Sequence, residues 1–158
     1  MQLKHSLAII ASAFTTFCYA QTKTQTCNDT KLHSELVETD NAFEQQGFKL
    51  IQYKTLTMPS GDYMPIYITL EQGKMYQFNF IANQDYNQYT FTLLDQDKKK
   101  LIDDKIKSKD HKNKFTKSFT APYSGNYVVI LTQKVKGQDQ ACGGFSVLKA
   151  VNDHLPGK

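Results

Sequence analysis

The sequence predicts a mainly β protein: an antiparallel, jelly-roll-like β-sandwich with one N-terminal α-helix. Three observations carry this expectation. From Phe48 to about residue 150, apolar side chains recur with a period of two, in short runs. Clusters of Gly, Pro, Asn and Asp separate those runs at the spacing of a sandwich. Only residues 30–46 show a period near 3.6. A closed barrel fits the same pattern.

The first twenty residues read as a secretory leader. Met1–His5 is polar and carries Lys4, Ser6–Phe17 is apolar, and Cys18-Tyr19-Ala20 places small residues before a cut at Ala20/Gln21. The apolar run is shorter than the roughly 20 residues of a membrane-spanning helix. Acylation at Cys18 is the rival processing, and bulky Phe17 before it argues against that. The mature chain is therefore expected to be secreted or periplasmic, with no transmembrane segment.

The 158 residues less a leader of 20 leave 138, enough for one domain over residues 21–158. Cleavage removes one lysine, so 18 basic residues face 15 acids and the net charge is about +3. That is too little to imply nucleic acid. Every basic residue is lysine, and arginine, the usual bidentate reader of phosphate and of guanine, is absent.

The helix is expected over about 30–46. Leu32, Leu36 and Phe43 share a face with Val37 beside them; Asn28, Asp29 or Thr30 can cap its start, and Gly47 suits a left-handed end. Phe48–Met58 then reads as a strand broken by Pro59-Ser60-Gly61-Asp62. Ile66, Ile68 and Leu70 alternate with Tyr67 and Thr69, and Glu71-Gln72-Gly73-Lys74 turns. Tyr76, Phe78, Phe80 and Ala82 share one face. Tyr89, Phe91 and Leu93 repeat the device, as do Phe115 and Phe119, then Tyr127, Val129 and Leu131, then Phe145 and Val147.

Ile68–Phe78, Tyr89–Asp95 and above all Phe119-Thr120-Ala121-Pro122-Tyr123-Ser124-Gly125-Asn126-Tyr127-Val128-Val129 resemble bacterial pre-peptidase C-terminal domains. The resemblance spans about residues 64–150. It implies a jelly-roll-like sandwich and an accessory role beside a secreted partner. Those relatives often carry acidic residues where Asn87-Gln88 stand here, and a Gly/Asp-rich loop where this chain is rich in lysine. No calcium is carried over, and no cofactor is expected.

Candidate chemistry is sparse. His33, His111 and His154 sit in no active-site motif, so no catalytic residue is assigned and an enzyme is not expected. Asp95, Asp97, Asp103 and Asp104 offer hard oxygen donors, but Lys98-Lys99-Lys100 divides them and no calcium-loop spacing results. Lysines 98, 99, 100, 105, 107, 109, 112, 114 and 117 crowd one segment, expected to form a protruding, mobile, solvated hairpin outside the core; an anionic partner is its functional alternative. Tyr63, Tyr86 and Tyr123 fall in expected turns, where they can contact a ligand or partner. Loss of Cys18 leaves Cys27 and Cys142, expected to form a disulfide outside the cytoplasm.

The expected function is a non-enzymatic interaction or accessory module that binds another protein or a cell-surface glycan. A carbohydrate-binding module using the loop tyrosines is the first alternative, and a hydrolase with an unfamiliar site the second.

Overall fold

The computed structural model describes residues 27–151. The expected leader, its cleavage near Ala20, and His154 lie outside them. Helix α1 spans Thr30–Glu44. The Asp29 carboxylate accepts from the backbone N–H groups of Lys31 and Leu32 at 3.0 and 3.1 Å, satisfying two of the donors that a helix start leaves open. The helix stops two residues before expectation because Gln46 and Gly47 donate to carbonyls only three residues back. Gly47, at φ 91°, then turns the chain into the first strand.

Eight strands follow: β1 Phe48–Pro59, β2 Tyr63–Leu70, β3 Met75–Ala82, β4 Tyr86–Leu94, β5 Lys100–Lys107, β6 Lys114–Thr120, β7 Gly125–Val135 and β8 Gln140–Ala150. They pair antiparallel in two four-stranded sheets, ordered β1-β8-β3-β6 and β2-β7-β4-β5. Most connections cross from one sheet to the other, as in a jelly roll. The sheets do not close on each other, so the structure is a sandwich and not a barrel.

Alternation decides what lies between the sheets. Tyr76, Phe78 and Phe80 of β3 meet Tyr89, Phe91 and Leu93 of β4, with Tyr127, Val129 and Leu131 of β7 and Phe145 and Val147 of β8, all fully buried. Each such side chain contributes roughly 1.5–3 kcal/mol of burial. At the entry to β7 the Tyr127 hydroxyl donates to the Tyr123 carbonyl at 2.7 Å, and the two rings stack. That bond pins the Pro122–Gly125 corner.

The lysine-rich segment is not a hairpin. β5 is an edge of one sheet and β6 an edge of the other, joined by a 3-10 turn at Ser108–Asp110. Among the lysines, Ile102 and Phe115 are buried, and Phe115 stacks on Phe91 at 4.3 Å. These apolar residues recruit the segment into the core, and the lysines take the solvent side. Lys117 Nζ of β6 lies 3.5 Å from Asp104 Oδ2 of β5, so both edges sit on the same flank of the sandwich.

The outer face of the first sheet is covered by α1. Leu32 and Leu36 pack on Ile81 of β3, with Tyr53 and Cys142 at the margin. The Cys27–Cys142 disulfide is formed, with Cα atoms 5.6 Å apart. It fastens the start of the helix to β8. Among the described residues, the outer face of the second sheet has no such cover.

Candidate binding face

The open face begins on edge strand β2. Ile66, Ile68 and Leu70 point into the core, which turns Tyr63, Pro65, Tyr67 and Thr69 outward. Tyr63 and Tyr67 are each 73 % exposed. Four residues apart on one strand, they stand roughly 13 Å from each other. Pro65 between them has no N–H to donate, and an edge strand tolerates this.

Strand register extends each position into a row across the sheet. Tyr67 stands opposite Val128, Val128 opposite Leu94, and Leu94 opposite Lys100. The next row is Pro65, Ile130, Thr92 and Asp103, and the next Tyr63, Thr132, Thr90 and Lys105. A last, shorter row holds Lys134, Gln88 and Lys107. The face thus passes from tyrosines through β-branched and hydroxyl side chains to charge at β5.

Its polar contacts are specific. The Thr90 and Thr132 hydroxyls lie 2.6 Å apart. One of them donates to the other, which leaves the second O–H free to turn toward a ligand. Asp103 accepts from Thr92 Oγ1 at 2.9 Å and from Lys100 Nζ at 2.8 Å. Lys100 first and Thr92 second hold its carboxyl below the usual range. Lys105, Lys107 and Lys134 are exposed and form no ion pair among the described residues.

Of the three tyrosines singled out in the sequence, only Tyr63 joins this face. Tyr86 is 6 % exposed, not a loop contact. Strand β4 begins with it, its ring packs on Tyr89, and its hydroxyl accepts from the Lys112 N–H at 3.0 Å. Tyr123 is half-buried against Tyr127. Its hydroxyl is buried beside Asp95 without a hydrogen bond of good geometry; the contact still lowers the Asp95 carboxyl and pushes the Tyr123 hydroxyl up. Tyr67 was not among the candidates. The signal for it is an aromatic on the polar side of an alternating strand.

The remaining candidates fall elsewhere. Asp95 Oδ1 accepts from the backbone N–H groups of Asp97 and Lys99 at 2.9 and 2.8 Å, so it shapes the β4–β5 turn. Among the described residues no three His, Cys, Asp or Glu side chains gather as a metal site. His33 bonds the Tyr53 hydroxyl. His111 lines a cleft of about 280 Å³ with Glu35, Gln84, Tyr86, Ser108 and Asn113. A Ser, a His and a Glu therefore share one cleft, but the bond between Ser108 and His111 is backbone to backbone at 3.0 Å, and no side-chain hydrogen bond links the three among the described residues. The Glu35 oxygens accept from the Gln84 and Asn113 amides at 3.2 and 2.9 Å.

No family model matches the chain, and no curated protein does. Among solved structures, one described as "CBM4 structure and function" is similar at 15 % identity and a TM-score of 0.40, over 65 % of this chain and 78 % of that one. A family two carbohydrate esterase from Cellvibrio japonicus is similar at 11 % identity and a TM-score of 0.35, over 66 % of this chain. This chain spans 30 % of that esterase's length.

Proposed function

We propose that this protein is a secreted or periplasmic, non-catalytic module that holds an extracellular glycan on the outer face of the β2-β7-β4-β5 sheet. The observation that carries this reading is the pair Tyr63 and Tyr67, aligned on one strand and each 73 % exposed on a face that α1 leaves bare. Large rings held out in water at no packing gain are suited to stack on a ligand's apolar face, with the phenol available for a hydrogen bond. The threonine rows beside them offer hydroxyls to a hydroxyl-rich ligand. A protein partner is the second outcome of the test; against it, the apolar centre of the face is half-buried within the sheet itself. The disulfide supports a compartment outside the cytoplasm.

Affinity electrophoresis through a panel of soluble polysaccharides, with pull-downs on insoluble ones, tests the reading. Tyr67→Ala and Tyr63→Ala are expected to fold as the parent does and to weaken retention about tenfold each, equivalent to about 1.4 kcal/mol. Unchanged retention in the double variant, or capture of a protein and no glycan, refutes it.

A further inference from the structure

Charge on this chain is unevenly distributed, and the fold turns part of it onto the open face. Residues 98–117 hold nine lysines and three aspartates, a net +6 in a chain of net +4, so the remaining residues sum to −2. Because β5 joins the β2-β7-β4-β5 sheet as an edge, its alternation sends Lys105 and Lys107 outward beside Thr90 and Gln88. Lys134 of β7 stands across Gln88 from Lys107. Three lysines without an ion pair among the described residues therefore meet at one corner of the face. The only carboxylate in the four rows, Asp103, is already engaged by Lys100 and Thr92.

The same corner adjoins a tyrosine. Tyr63, Thr132, Thr90 and Lys105 form one row, and with strands about 4.8 Å apart its backbone runs roughly 14 Å from β2 to β5. A ligand laid along this row meets a ring, a hydroxyl pair and then uncompensated positive charge. Lysine is a compact point charge on a flexible stem and follows an anionic group without demanding bidentate geometry.

Resting on the glycan reading above, we infer that the ligand is an acidic polysaccharide whose carboxylate or sulfate groups sit against Lys105, Lys107 and Lys134 while a neighbouring sugar stacks on Tyr63.

The test uses the mature, oxidised protein in affinity electrophoresis with polygalacturonate, alginate and dextran sulfate. Methyl-esterified pectin and dextran serve as uncharged counterparts, and each run is made at about 50 and about 200 mM salt. At least tenfold stronger retention by a charged polymer than by its uncharged counterpart, weakened by salt, is expected. The triple variant Lys105→Gln, Lys107→Gln, Lys134→Gln should keep its Tm and lose that advantage. Retention by the carboxylate polymers alone identifies a uronate, and by dextran sulfate alone a sulfate ester; either supports the inference. Equal retention of charged and uncharged polymers, or a triple variant that binds as the parent does, overturns it and leaves the glycan reading standing. Retention that survives Tyr63→Ala with Tyr67→Ala and is matched by anionic phosphatidylserine vesicles overturns both. Failure to bind any charged polymer overturns the inference as well.

Discussion

Asn79 of β3 donates through Nδ2 to Asp40 Oδ1 of α1 at 3.0 Å, beneath the helix. The Ser146 hydroxyl donates to the same oxygen, and Oδ2 is buried with no hydrogen-bond partner among the described residues. Burial raises the Asp40 carboxyl; the bonds from Ser146 and Asn79 oppose that without cancelling it, and Glu44 adds to it. A folded-state value above the unfolded one means that the native state holds this proton more tightly. Its contribution to stability is full below the ordinary value of about 4 and is lost as pH rises through the raised one. Asp40→Asn should therefore gain Tm relative to the parent as pH rises from about 4 to about 7. Glu71 and Asp103, held low by lysines, act with the opposite sign, but they are common to both proteins and cancel in the comparison. Parallel Tm curves would show that Asp40 does not titrate in this way.

Gly144 is where α1 touches down. A Cβ placed there would meet Leu32 Cδ2 at 2.8 Å and Leu36 Cδ2 at 3.0 Å. Gly144→Ala is expected to lift the helix and cost about 1–3 kcal/mol. Thermal unfolding measures the loss, and faster amide exchange confined to α1 locates it. An unchanged Tm with normal protection rules out the close approach.

Removing the bridge by Cys27→Ser with Cys142→Ser should lower Tm, because the bond closes a loop of 115 positions. The loop-entropy model puts the loss at about 4–5 kcal/mol as an upper figure. A non-reducing gel should show the parent as a monomer without free thiol. Two titratable thiols in the oxidised protein would contradict the structure.

The β5–β6 region separates two kinds of residue. Phe115→Ala should cost about 3–5 kcal/mol, since it empties a core position. Replacing Lys98, Lys99 and Lys105 together by Gln should change stability by less than about 0.5 kcal/mol. Chemical denaturation of both proteins checks the contrast; a harmless Phe115→Ala would return the segment to a loose hairpin.

The strands of the core were legible because their signal is local. Tyr76, Phe78 and Phe80, or Tyr127, Val129 and Leu131, state their own alternation, and Asp29 and Gly47 mark the helix ends within a few residues. Legibility failed where a side chain's fate depends on which strand lies alongside. Ile102 looks incidental among lysines until β4 presents Leu93 opposite it, and the alternation at Phe115 and Phe119 does not say that Phe91 of the other sheet will stack on Phe115. Tyr86 follows a polar turn and reads as exposed until the β5–β6 connection closes over it. Asp40 reads as a surface acid on a helix, and only the register of β3 and β8 places Asn79 and Ser146 beneath it. Tyr67 could have been found, because alternation alone sends it outward.

The sulfur bridge also decides how the domain carries force. Cys27 is covalently joined to β8, and the chain leaves the sandwich along that same strand at Ala150. Tension between the two ends crosses the disulfide and then stretches only the stretch from Cys142 to Ala150, a strand hydrogen-bonded to β1 on one side and β3 on the other. Residues 28–141 form a closed loop outside the stretched path. A pull on the two ends therefore bypasses the open face while the bridge is oxidised, whereas in the reduced protein the same pull passes into α1 and through residues 28–141.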